Sequence, residues 1–154
     1  MTPRTPKRMV RDAAGTTGYL LDSHVWVWML AGDERKMLPR SWRLLASAAE
    51  SGALHVSDVS CWEVALKAAT GRYLLGLPVD EWIARATTAP GVLMLPLDRP
   101  TLLLGARLTE MHGDPADRWL VATAKLRKLT LLTADRAILS FAKAEGLTAV
   151  QAVR

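Results

Sequence analysis

Cysteine is nearly absent from this chain. Cys61 is the only one in 154 residues, so no internal disulfide can form and a reducing compartment, the cytoplasm, is the expected setting. No activating base neighbours Cys61 in the sequence, which leaves a small hydrophobe beside Trp62 rather than a nucleophile. Long apolar runs are missing too. YLLDSHVWVWML, residues 19–30, is too short to cross a bilayer and is interrupted by Asp22 and His24. Residues 1–18 carry Arg4, Lys7, Arg8 and Arg11 among Pro, Thr and Gly without an apolar core. That excludes a signal peptide and reads as a flexible basic tail, within which Met9 offers a second start. The three histidines, His24, His55 and His112, are scattered, and nothing resembles a zinc-binding spacing.

What is present describes a folded domain. Half of the residues are hydrophobic and 23% are charged, the balance of one globular unit over residues 19–154 rather than of a disordered chain. A net charge of +5 makes polyanions plausible partners without demanding them. Tryptophan is over-represented, six against a single phenylalanine. Trp26 and Trp28 lie two apart, so they cannot share a helix face. One of them is therefore expected at an interface, whereas Trp62 and Trp119 are expected in the core.

Five strand candidates alternate with helices. They are GYLLD, ALHVS, VLMLPL, LTLLTAD and LTAVQAV. Between them, Ser23 is expected to cap HVWVWMLAG, and Pro39 to open a helix closed by Gly52. Another helix runs from Asp58 to about Thr70, another over PVDEWIARATTAPG, and another over RPTLLLGARLTEMHG. Asp114 and Pro115 begin DPADRWLVATAKLRK, and RAILSFAKAEG is the last helix. The strands show little period-two alternation, as in an α/β fold whose mainly parallel sheet is covered on both faces.

In such sheets ligands bind beyond the carboxyl ends of the strands. Asp22 ends the first strand and Asp135 follows LTLLT. Asp114 and Asp117 occupy the first turn of a helix, and Asp117 heads a stripe with Leu120, Val121 and Ala124. Glu63 shares a face with Val59, Trp62 and Leu66. Any one of these acids can be explained as a cap or as a complement to a helix dipole. Four or five at one end of a sheet, two of them inward, need a cation. Arg118 and Arg136 directly follow two of the acids, but an oxygen-only set suits Mg²⁺ or Mn²⁺ better, and zinc least.

With these residues placed, the chain resembles a PIN-domain ribonuclease, specifically the VapC-type toxins of toxin–antitoxin pairs. The likeness rests on YLLDSHVWVWML, SDVSCWEVALKAATGRYLL and HGDPADRWLVATAKLRKLTLLTAD, in that order and spacing. It implies a three-layer α/β/α sandwich and a Mg²⁺- or Mn²⁺-dependent endoribonuclease that leaves a 5′-phosphate and a 3′-hydroxyl. The family's acids fall on Asp22, Glu63, Asp117 and Asp135, as catalytic residues and metal ligands, with Asp114 as an additional metal or metal-water contact. A homodimer and a VapB-type antitoxin, bound as a peptide in an apolar groove, are the implied protein partners. Lys67, Arg118, Arg136 and Arg72 are candidates to contact phosphates.

Other readings fare worse. A phosphoaspartyl phosphatase needs a second Asp two residues after the first, where this chain has His24. A receiver-like module needs a paired acid at the first strand and a strand-end lysine, and neither is found. The alternative of another class is a catalytically silent PIN-like module that binds RNA or protein. Its hallmark, loss of an acid, is not seen here.

Overall fold

The computed structural model describes residues 18–111, 114–147 and 150–154. All but one residue of the expected tail, and also His112, therefore lie outside the described residues. Five strands form one sheet: β1 (Tyr19–Leu21), β2 (Leu54–Ser57), β3 (Val92–Leu95), β4 (Thr130–Thr133) and β5 (Val150–Ala152). Their order is β3-β2-β1-β4-β5 and every pairing is parallel. Seven helices connect them: α1 (Ser23–Ala31), α2 (Pro39–Glu50), α3 (Asp58–Ala69), α4 (Val79–Thr87), α5 (Arg99–Arg107), α6 (Pro115–Arg127) and α7 (Arg136–Ala144).

Adjacent strand residues face opposite ways, and this splits the core in two. Leu20 and Leu131 join Leu120, Val121 and Ala124 of α6 and Ile138 and Ala142 of α7 in one cluster. Leu21, Leu54, Val56 and Leu132 join residues of α1, α2 and α4 in the other. Helix α3 serves both, with Val59 in the first and Val64 in the second. Because both faces are covered, the central strands need apolar residues at every position, which explains their missing alternation.

Chain direction reverses its progress across the sheet at β1, which has β2 on one side and β4 on the other. The crevice beyond the ends of β1 and β4 is the switch point of a doubly wound sheet, and β1 is fixed there by the bond from Asp22 N–H to the Leu132 carbonyl, 2.9 Å. Several boundaries and one element differ from the sequence reading. Asp22, not Ser23, caps α1. Helix α5 stops at Arg107, after which Leu108 leaves helical geometry and is buried together with Met111. A 3₁₀ turn at Glu34–Lys36, capped by Asp33, had no apolar periodicity to announce it.

Candidate active site

Four of the five acids are set by how secondary structure begins. Asp22 leaves β1 and caps α1, its Oδ1 accepting from the Ser23 N–H at 2.7 Å. Asp114 caps α6 through the Ala116 N–H, 3.0 Å, and this places Asp117 in the first turn. Asp135 caps α7 through the N–H groups of Ala137 and Ile138, 2.8 and 3.2 Å. Glu63 is brought in differently. Ser57 ends β2 and caps α3, so Glu63 faces inward from the second turn.

Asp22 and Glu63 are almost wholly buried, at 2% and 3% exposure, whereas Asp114 and Asp117 are half-buried and Asp135 is exposed. Asp22 is well supplied with donors. Its Oδ2 accepts from the Thr133 hydroxyl at 2.6 Å and lies 3.3 Å from His24 Nδ1. His24 Nε2 accepts from the Ala134 N–H at 3.0 Å, which fixes the tautomer that donates from Nδ1 toward Asp22. Glu63 instead has a cation, with Lys67 Nζ 2.9 Å from Oε1.

Asp117 has neither. Burial raises its pKa to about 7, and Asp22, Glu63, Asp114 and Asp135 each add to the rise through their charge. The five predicted acids therefore share one electrostatic field, and Asp117 is where their repulsion accumulates. As they stand, no three His, Cys, Asp or Glu side chains among the described residues are arranged to hold an ion. The donor chemistry nevertheless fits a hard divalent cation: oxygen only, several carboxylates, and one that stays protonated near neutrality for want of positive charge.

The basic candidates separate. Lys67 is in the site. Arg118 is half-buried, with its Nε shielded from solvent and unpartnered, and Arg136 is exposed at the start of α7. Of the tryptophans, Trp26 is fully buried and meets Trp82 edge-on at 5.1 Å. Trp28 is partly buried and lies 4.7 Å from the His24 ring, centroid to centroid. Trp62 corrects the expectation of a core residue, because it is 49% exposed. Cys61 is half-buried and its thiol is pushed up, first by burial and then by Asp58, as befits an inert side chain.

Sequence reasoning missed the groups that hold the acids. His24, one of three scattered histidines in the sequence, is a bridge between Asp22 and the end of β4. Thr133 also accepts from the Asp135 N–H at 3.0 Å, so a single hydroxyl ties both strand-end acids. A buried bond from Ser23 Oγ to Ser60 Oγ, 2.9 Å, couples α1 to α3. A threonine closing an apolar strand two residues before an acid was the one signal available beforehand.

Residues 19–147 match the PIN domain. The chain belongs to the PIN-domain family. This PIN protein is 33% identical over 125 residues to ribonuclease VapC22 of Mycobacterium tuberculosis, a match covering 80% of this chain and 92% of that protein. Its fold is similar to that of FitAcB from Neisseria gonorrhoeae, with a TM-score of 0.55 and 20% identity over 88% of this chain and 96% of the other. A toxin–antitoxin complex from Klebsiella pneumoniae gives a TM-score of 0.54 and 14% identity, covering 87% and 96%. FitAB bound to an IR36 DNA fragment gives 0.52 and 22%, covering 87% and 94%.

Proposed function

We propose that this PIN domain is the endoribonuclease toxin of a toxin–antitoxin pair, hydrolysing RNA phosphodiester bonds with Mg²⁺ or Mn²⁺ held by Asp22, Glu63, Asp117 and Asp135, and by Asp114 directly or through water. The observation that carries this reading is the convergence of five acids at the switch point, where the Asp117 carboxyl is pushed up to about 7, first by its burial and then by the charges of Asp22, Glu63, Asp114 and Asp135. Likeness to ribonuclease VapC22 supports the substrate class.

When bound, a divalent ion supplies Lewis-acid activation of a water molecule and offsets the charge of the phosphodiester. The chain's own residues do the rest. Thr133 and His24 hold the Asp22 carboxylate in one orientation. Thr133 also fixes the backbone of Asp135. A cation beside Asp117 would favour its ionised form, so ion uptake would be linked to release of a proton. Lys67, Arg118 and Arg136 are proposed to contact phosphates. A VapB-type antitoxin is supported by a toxin–antitoxin complex among the structural neighbours, and a homodimer and a cytoplasmic setting complete the proposal.

The test is incubation of the antitoxin-free protein with total RNA in Mg²⁺, in Mn²⁺ and in excess EDTA, beside an Asp117→Asn variant. Discrete fragments that require metal and vanish in the variant are expected. Intact RNA in every lane, from folded protein that still binds the ion, would instead favour the silent binding module.

A further inference from the structure

Glu63 is the one deeply buried acid in the site that is neutralised by a lysine. Lys67 lies one helical turn further along α3, and three contacts fix its ammonium. Nζ is 2.9 Å from Glu63 Oε1, 3.5 Å from the Tyr73 hydroxyl and 5.2 Å from the centroid of the Tyr73 ring. Burial alone would pull the ammonium down, but the hydrogen bond and charge of Glu63 outweigh it, and Lys67 stays cationic. Tyr73 is half-buried, in the loop that leaves α3, and its hydroxyl feels the charges of Glu63 and Asp22 as well as of Lys67. It is therefore part of the same site.

We infer that Lys67 is an internal counter-ion that competes with the divalent cation for Glu63, and that Tyr73 keeps the displaced ammonium within the site. This rests on the proposed metal-dependent reading. The physical reason is that a carboxylate buried to 3% exposure cannot be left bare when the ion is absent, since an unpaired buried charge is costly. Lys67 supplies that charge from the same helix. It also occupies a Glu63 oxygen that a cation would need, and among the described residues no three acids stand ready as a ligand set. Entry of the ion then exchanges one cation for another at Glu63. The freed ammonium retains the Tyr73 hydroxyl as an acceptor and the Tyr73 ring as an aromatic face. Lys67 is thus a positioning residue that acts through Glu63.

Calorimetric titration of Mn²⁺ into the full chain at pH 7.5 separates this role from a structural one. Lys67→Met and Lys67→Gln are expected to bind Mn²⁺ roughly three- to tenfold more tightly than the native protein, even though each loses RNA cleavage. Lys67→Arg, which keeps the charge, is expected to bind within about twofold of the native value. A purely structural lysine would give weaker binding in every variant. A second readout needs no variant: in a Mg²⁺ titration followed by NMR, the Lys67 Nζ and Glu63 carboxyl signals should move with one midpoint. Neutral variants that bind Mn²⁺ no more tightly than native, or a Lys67 signal that stays still while Glu63 responds, would overturn the inference and leave the nuclease reading intact. Absence of any Mn²⁺ binding to the native chain would overturn both.

Discussion

Asp117 shows how a single residue can serve chemistry against the interest of stability. Its ordinary pKa is 3.8 and the fold raises it to about 7. Between those values the folded chain holds a proton that the unfolded chain has released. The stability this confers is complete below about pH 4 and is lost as pH rises through about 7. Replacing Asp117 with Asn removes the titration. In EDTA at pH 8, Asp117→Asn is expected to be more stable than the native protein by about 2–3 kcal/mol, with the difference closing below about pH 4. Denaturant titrations at the two pH values check this, and RNA cleavage by the variant should fall by at least about hundredfold. Thr133 behaves in the opposite sense. Thr133→Val keeps the shape but removes a donor to Asp22 and an acceptor for Asp135 N–H. A loss of about 1–3 kcal/mol in stability and about ten- to hundredfold in cleavage is expected, the first by thermal melting and the second by a turnover assay.

At the scale of elements, the pair α5 and α6 is the tightest seam. A Cβ added at Gly105 would overlap the Trp119 ring, so α5 approaches α6 only because that position has no side chain. Gly105→Ala gains helix propensity but must push Trp119 away, and a net destabilisation of about 1–2 kcal/mol is expected from its melting curve. Much of this layer was legible in the sequence. Asp114 with Pro115, and Pro39 at the start of α2, mark element ends through local backbone chemistry, and local chemistry is what a sequence displays. The exposure of Trp62 was not legible. Helix α3 buries Val59, Ser60, Glu63 and Val64 and leaves both Trp62 and Leu66 exposed, a rotation of roughly one residue, about 100°, that depends on what α3 packs against. The acids themselves were readable as strand ends and helix starts. Their supports were not, because Thr133 reaches Asp22 across 111 positions of sequence, and that adjacency exists only once β1 and β4 pair.

The whole molecule is one α/β/α layer stack whose crevice carries excess negative charge on a chain of net charge +5. The proposed cation binding there would be linked to folding. Mn²⁺ at about 100 times its dissociation constant should add about 2.7 kcal/mol, a rise of roughly 5–10 °C in melting temperature at pH 8. At pH 5 the rise should be smaller, because Asp117 then holds a proton that the ion must displace. A melting temperature indifferent to Mn²⁺ at both pH values would count against the proposed site. The caps carry a further consequence for the bench. Asp22, Asp114 and Asp135 each begin a helix as well as lining the crevice. An alanine at any of them removes a helix cap together with a proposed metal ligand, so silence in a growth-arrest assay would not distinguish an inactive toxin from a misfolded one. Asp117 caps nothing, and its asparagine form is the inert protein to choose for antitoxin pull-downs or for crystallising an uncleaved RNA.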